Sequence, residues 1–353
     1  MQAPIPKGSY QNPSKGTNLL IHNLHDHFEK GIKTNKRTIK QLAQKSGITD
    51  LNHAYEKAEL AWTLWYRKII AEEKDIKAQL QKAIEFYYNG QPTFSQTSST
   101  KKIYQQYSTA APIALLAGWF VDAQKVDSVF EPSAGNGLLC IYAPYKKTTV
   151  NELDMTRLAN LQLQPFKAVL NQDALLPFEG YEKTQDAVLC NPPFGKLDVT
   201  NYDYGGFIIK KLDHLMIAHA MATMKDTGRA ALIIGGHTEY NAKGMITSFR
   251  PFFNWLYHHY QVLDMINIDS RKLYAKQGTA FPLRLILIAG RKEVPFGTAP
   301  RIHEALELEA EVSSFDALFK RVKKAKQKAV GYLPTLKDHL GIAIEQLNTE
   351  LYA

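Results

Sequence analysis

Cysteine is nearly absent from this 353-residue chain: Cys140 and Cys190 are the only two, and no CxxC pair exists. That excludes a disulfide framework and a cysteine-built zinc centre. No His or acidic residues fall at metal-ligand spacing, so no metal is expected. Long apolar runs are missing too. The longest, Ile113 to Val121 and Leu283 to Ala289, are far too short to span a bilayer. The opening MQAPIPKGSYQNPSKG is polar and lacks an apolar run of signal-peptide length. A reducing, cytoplasmic setting away from membranes is the expectation. No internal repeat is visible. Basic residues are in excess, 43 Lys and Arg against 34 Asp and Glu, a formal net charge of +9. Such an excess suits a phosphate-covered partner. It equally suits a soluble basic protein with no such partner.

Residues 1–17 read as a disordered start. Over 18–94 the pattern is helical: Ala54, Ala58, Ala61, Leu64, Trp65 and Ile69 recur at spacings of three and four. Gly90-Gln91-Pro92 stops that small domain, and the polar stretch 95–102 reads as a linker. From 103 to 295 strand-like runs alternate with helical ones. The strands are Val126 to Phe130, Thr148 to Asn151, a region ending near Asp173, Ala187 to Cys190, Ala230 to Ile234, Val262 to Ile268 and Leu283 to Ala289. Phe207 to Met224 reads as one of the helices. This alternation predicts an α/β fold with a doubly wound, mostly parallel sheet carrying helices on both faces. Ligands then sit at the carboxyl ends of the strands. Residues 296–353 read as a basic helical extension with Lys320, Arg321, Lys323, Lys324, Lys326 and Lys328 in one cluster.

Val129-Phe130 leads into Glu131-Pro132-Ser133-Ala134-Gly135-Asn136-Gly137 and then Leu138 to Ile141, which predicts strand, glycine turn, helix. Glycine lets backbone approach a ligand closely. A carboxylate at Glu131 would repel a dinucleotide phosphate but suits a cationic ligand. S-adenosylmethionine carries both a sulfonium and an ammonium group. Glu131, Pro132, Ala134, Gly135, Asn136 and Gly137 are the candidate contacts. An acid at the end of the second strand can take both ribose hydroxyls. Glu152 is the first choice and Asp154 the second. Asp173, ending the third strand region, can accept a hydrogen bond from an adenine amino group. Each acid alone could be a solvated loop residue; three at successive strand ends weaken that reading.

The fourth strand runs into Asn191-Pro192-Pro193-Phe194-Gly195. Two prolines remove two backbone donors. Acceptors remain: the Asn191 side-chain oxygen and the Pro192 carbonyl. Two converging acceptors hold an amino group with two N–H donors. For a delocalised exocyclic amine they favour the pyramidal geometry in which its lone pair can attack a methyl, and alignment supplies further rate. Phe194 offers a face on which a flipped base can stack. A Pro-Pro turn that merely ends a strand is the plainer alternative. Cys190, inside an apolar strand, reads as inert core and not as a nucleophile.

Together these motifs resemble the amino-directed DNA methyltransferases in their N6-adenine branch, with the cofactor motif ahead of the catalytic one, the gamma-type order. The resemblance covers roughly residues 103–290. It implies a Rossmann-like class I methyltransferase fold with a seven-stranded sheet, S-adenosyl-L-methionine as cofactor, and adenine in DNA as substrate. Tyr107-Ser108-Thr109 resembles the segment that closes over the methionine end of the cofactor, with Thr109 the contact; Ala110 stands where the family often has proline. Asn191 to Phe194 match the catalytic motif. Gly278 to Pro282 looks like a late motif whose aromatic, Phe281, packs against the flipped base; a core residue that starts a strand is the plainer reading of Phe281. A weaker likeness is to methylase-like proteins of phages and mobile elements.

The resemblance does not cover the helical N-terminus, and the C-terminus does not look like the large target-recognition domain many such enzymes carry. Phosphate contacts could come from Lys30, Lys33, Lys36, Arg37 and Lys40 or from the C-terminal cluster; either could be a solvated helix face. The stretch 196–206 reads as a mobile lid with Tyr202 and Tyr204 near the base. His237 reads as structural. Two alternatives stay open: methylation of RNA adenine or of a protein glutamine amide, and a non-catalytic binding subunit of the same fold. Oligomeric state is not readable from the residues.

Overall fold

A computed structural model describes residues 15–93, 108–198, 201–302 and 310–330. The expected linker at 95–102, most of the expected disordered start, Tyr107 and the last part of the C-terminal extension lie outside them. Among the described residues no helix is long and apolar enough to cross a membrane.

The chain begins with four helices, α1 (Lys15–Glu29), α2 (Lys36–Lys45), α3 (Leu51–Ala71) and α4 (Ile76–Glu85). Asn35, Asp50 and Asp75 cap the last three by accepting first-turn backbone N–H groups. Residues 15–17, expected in a disordered start, are instead the first turn of α1. Gly16 sits so close to the Ser46 carbonyl that a Cβ would meet it at 2.4 Å, and Thr17 is buried. Tertiary docking thus orders a sequence that is locally polar. α3 buries the expected Ala54, Ala58, Ala61 and Trp65, but also Glu56, Lys57, Glu59, Trp62 and Tyr66. It is covered by α1, α2 and α4 and by a helix of the α/β part, so no broad face meets water. A π-turn, Phe86–Gly90, ends this layer.

Helix α5 (Ala111–Phe120) has Pro112 in its first turn, where a missing N–H costs nothing. Strand β1 (Val129–Glu131) then leads through the glycine turn to a single 3₁₀ turn, Leu138–Cys140. A longer helix was expected here. Pro144 follows within a few residues, and a side chain supports the carbonyls here: Arg67 of α3 donates to Cys140 O at 2.6 Å and Ala143 O at 2.8 Å. Its guanidinium lies 3.8 Å from the Tyr145 ring centre.

Next come β2 (Thr148–Asn151), α6 (Met155–Gln162), β3 (Ala168–Leu170) and β4 (Gln185–Cys190). A small antiparallel hairpin of β5 (Tyr202–Tyr204) and β6 (Phe207–Ile209) follows, then α7 (Leu212–Ala222). The expected helix over 207–224 therefore starts five residues late. Gly205 and Gly206 both have positive φ, +61° and +86°, and turn the chain back on itself in two residues. The order completes with β7 (Met224–Gly235), α8 (Arg250–His259), β8 (Tyr260–Ile268), the short α9 (Ser270–Leu273), β9 (Leu283–Arg291), β10 (Glu311–Val312) and α10 (Phe315–Val330).

The main sheet has the order β10-β8-β9-β7-β4-β1-β2-β3, parallel except for β9, which is antiparallel to both its neighbours. This is a Rossmann-like, doubly wound sheet: the seven expected strands, with β10 added at the edge beside β8. Its faces follow strand alternation. Ala231 and Ile233 of β7 join one core with α1 to α5 and α10; Ala230, Leu232 and Ile234 join another with α7 and α8. The helical layer and the sheet thus share one continuous apolar cluster. In α10, Arg321 pairs with Asp264 at 2.6 Å and Lys326 with Asp122 at 2.6 Å, so two of the six clustered cations are tied to the body of the fold. Lys320, Lys323, Lys324 and Lys328 are exposed.

Leu318 lies fully buried on the inner face of α10. Leu318→Ala should lower unfolding free energy by about 2–5 kcal/mol through lost burial and a cavity. Chemical denaturation read by circular dichroism measures it; a change below about 0.5 kcal/mol would show that α10 is not part of the core.

Candidate functional site

Strands β1 to β4 end together, at the point where the sheet order reverses, and a cavity of about 460 Å³ opens beyond them. Thr109, Glu131, Pro132, Ala134, Gly135, Asn136, Glu152, Asp173, Asn191 and Pro193 all line it. Residues from four separate strand ends, and one from ahead of β1, are thus brought to one space.

The glycine turn after β1 is held by the strand beside it. Ala134 N–H donates to Asn151 O at 2.9 Å, and Gly135 N–H to Glu152 Oε2 at 2.8 Å. Gly135 and Gly137 have φ of +57° and +88°, a region that L side chains enter at a cost. Glu152 takes a second donor, the Asp154 N–H, on Oε1 at 2.8 Å. Asp154, the second choice for the ribose, lines the cavity but caps α6, accepting from Thr156 and Arg157 N–H. Asp173 Oδ1 accepts from Leu175 N–H at 2.9 Å.

The cavity is acidic in a basic protein. Glu59, Glu131, Glu152, Asp154, Asp173 and Asp198 line it, and Arg157 is the one Lys or Arg among its described lining residues. Arg157 is itself ion-paired with Glu56 at 3.2 Å. Burial pushes the Glu131 carboxyl up to about 8, against the hydrogen bonds from Ser133 that favour its charge; the neighbouring Glu152 pushes it further up. Burial raises Glu152 as well, although the Arg157 charge draws it back. Desolvation disfavours the charged acid.

At the tip of β4, Asn191 Nδ2 donates to Thr109 Oγ1 at 2.9 Å, which fixes the plane of the amide. The Asn191 backbone N–H faces Glu131. Thr109 is held in turn by a buried chain of hydrogen bonds. Tyr66 of α3 donates to Gln91 Oε1 at 2.8 Å, and Gln91 Nε2 to Gln277 Oε1 at 2.7 Å. Gln277 Nε2 donates to the carbonyls of Thr109 at 2.8 Å and Ser108 at 3.0 Å. The helical layer therefore reaches the tip of β4 through three side chains.

Other expected residues lie elsewhere. Gly137 sits behind the turn, against Gln164 and Phe166. Asn136, though lining the cavity, is committed to Glu56 and Asn160 at 2.7 Å each. Phe194 is buried, its ring stacked on Phe281 at 5.8 Å and 26°. A Cβ at Gly235 would come within 2.9 Å of Phe281 and 3.1 Å of Phe194, so glycine there admits both rings. Tyr204 does not reach the cavity: its hydroxyl donates to Ala218 O at 3.1 Å and its ring packs on His219 and Trp255. Tyr202, its hairpin companion, packs against the same cluster. The hairpin is docked on α7 and α8, with residues 199–200 of the proposed lid outside the described set. His237 is tied to Ile268 O and Glu311. Burial pushes the Cys190 thiol well up, away from thiolate.

Glu59, Ser108, Arg157, Asp198, Leu212 and Met216 also line the cavity and were not foreseen. For Glu59 a signal existed: Glu56 and Glu59 stand among the alanines of α3, polar residues beside a packing face.

No family model matches this chain, and no curated protein matches it. Solved structures do show a likeness. A Listeria monocytogenes protein provisionally described as a class I S-adenosylmethionine-dependent methyltransferase is 14% identical, covering 89% of this chain and 100% of its own, with a TM-score of 0.48. The type I restriction enzyme EcoKI M protein is 16% identical over 77% of this chain and 67% of its own, TM-score 0.41. The type IIG restriction endonuclease BpuSI is 13% identical over 81% and 35%, TM-score 0.39.

Glu131 generates a pH dependence. Its folded pKa lies above the ordinary 4.5, so its neutral form favours the fold. That contribution is complete below about pH 4.5 and is lost as pH rises through about 8. Glu131→Gln should remove it, so that the ligand-free variant gains stability over the native chain as pH rises. Denaturant midpoints taken across this range test it; parallel curves would contradict it.

Proposed function

We propose that this chain transfers a methyl group from S-adenosylmethionine to the exocyclic N6 of a flipped adenine in DNA. The observation that carries this reading is the convergence of Asn191 and Pro193 with Glu131, Glu152 and Asp173 on one cavity, with the buried Pro192 between the first two. S-adenosylmethionine, when bound, would supply an electrophilic methyl. The residues fit it. The volume is that of a small-ligand site. Glu152 stands where a ribose diol would be met and Asp173 where an adenine amine would be. Buried acid suits the sulfonium and the ammonium.

Thr109 takes one amide hydrogen of Asn191, which leaves Oδ1, at the other edge of the amide group, free of that contact. The Asn191 oxygen and the Pro192 carbonyl would accept the two hydrogens of the target amine and hold its lone pair toward the methyl. The prolines leave no N–H at the tip to compete. A base in a duplex cannot reach this depth, so it must leave the stack. Phe194 lies covered by Phe281. An incoming base would part these rings and take the place of one against the other. The net charge of +9 and the exposed Lys30, Lys33, Arg37 and Lys40 favour a phosphate-bearing partner over a protein one.

Asn191→Ala should cut methyl transfer at least about a hundredfold, because alignment is lost, with cofactor affinity little changed. Labelled cofactor offered with DNA, RNA and protein gives the readout; an unaffected rate on DNA would refute the mechanism, and label in RNA or protein alone would refute the substrate. Gln277→Leu should act one step back. It breaks the chain that holds Thr109 and should lower kcat about tenfold, with a small change in KM for cofactor. Equal losses in both would mark it as a general packing residue.

A further inference from the structure

We propose that Glu59 is the residue that takes the ammonium group of the cofactor, so that the helical layer, and not the sheet, holds the cofactor's amino-acid end. This rests on the reading of the cavity as an S-adenosylmethionine site. Glu59 belongs to α3, is 3% exposed, and lines the cavity with Ser108, Thr109 and Asn136. Its neighbour one turn earlier, Glu56, is already neutralised: Arg157 lies at 3.2 Å and the Asn136 amide donates to it at 2.7 Å. Glu59 has no cation within ion-pair distance among the described residues; its side-chain hydrogen bond comes from the Ser108 hydroxyl. Arg157 acts on Glu59 from beyond ion-pair distance, but its contact is with Glu56. A buried carboxylate with no cation in contact is costly, and a bound ammonium would relieve it.

The other acids have different duties. Both oxygens of Glu152 accept backbone N–H groups, Asp154 caps α6, and Asp173 accepts from Leu175. Glu152 and Asp173 mark the adenosine end, at the tips of β2 and β3. Glu59 is joined through Ser108 to the Thr109–Asn191 end, where the methionine portion must lie if its methyl is to face Asn191.

Glu59→Gln keeps an oxygen for Ser108 but removes the charge. Full-length native and E59Q proteins would be titrated by calorimetry with two probes: S-adenosylmethionine, and methylthioadenosine, which lacks the amino-acid end. We expect E59Q to bind S-adenosylmethionine about tenfold or more weakly, with methylthioadenosine unchanged. Glu59→Asp should restore much of the loss, which covers the case in which E59Q folds poorly. Equal weakening of both probes, or no weakening of either, would overturn the assignment. If the native chain binds neither probe, the cofactor reading itself has failed, which is a distinct result.

Discussion

Negative charge buried without enough positive charge beside it is the constraint around which this molecule is arranged. Glu131 and Glu152 end adjacent parallel strands, Asp173 ends the next, and Glu59 faces them from a helix. Arg157, among them, is already committed to Glu56. Burial answers by holding Glu131 toward its neutral form. A cationic ligand would reverse that response by supplying the missing charge. The chain as a whole is of the opposite sign, with a formal net charge of +9. A polyanion is therefore attracted to the surface and repelled from the cavity, which separates the place where a nucleic acid would be held from the place where a cationic cofactor would be.

The helical layer is more than a cover. After the one 3₁₀ turn that follows the glycine turn, Arg67 of α3 donates to the Ala143 carbonyl and adds a second donor to the Cys140 carbonyl, which already accepts Ala143 N–H. Its two terminal nitrogens each donate to a carbonyl oxygen and its face rests on Tyr145, which offsets the cost of turning the guanidinium inward. From the same helix Tyr66 begins the chain through Gln91 and Gln277 that fixes Thr109, and Thr109 fixes Asn191. Removing the layer would leave the Ala143 carbonyl, the Asn136 amide and the Arg157 guanidinium without these partners. Site geometry and helical packing are consequently one problem, not two.

Aromatic packing sets a second condition at the tip of β4. Phe194 and Phe281 stack over Gly235, so the flat face that the sequence seemed to offer is already occupied. Phe281 is the more exposed of the two. It belongs to the loop that carries Gln277, which ties the ring that would move to the segment that holds Thr109.

Amino-acid order alone was enough for the strand tips. Glycine with positive φ, an acid at each strand end and two prolines after Asn191 are local signatures, and their chemistry does not depend on distant neighbours. Sheet class followed from alternation, since a period of two or of 3.6 is written into adjacent residues. Tertiary structure alone decided what depends on distant partners. Gly205-Gly206 made a hairpin whose first strand lies in the stretch read as a lid and whose second, 207–209, was read as the start of a helix. Tyr204 went to Ala218 and Trp255 instead of the cavity, and residues 15–17 became helical by docking on Ser46. Glu59, Gln91 and Gln277 are ordinary polar residues in the sequence; only folding brings them to Ser108, Gln277 and Thr109 across 49, 186 and 168 positions of chain. No local period encodes such pairings, because their energy exists only once the intervening chain has closed.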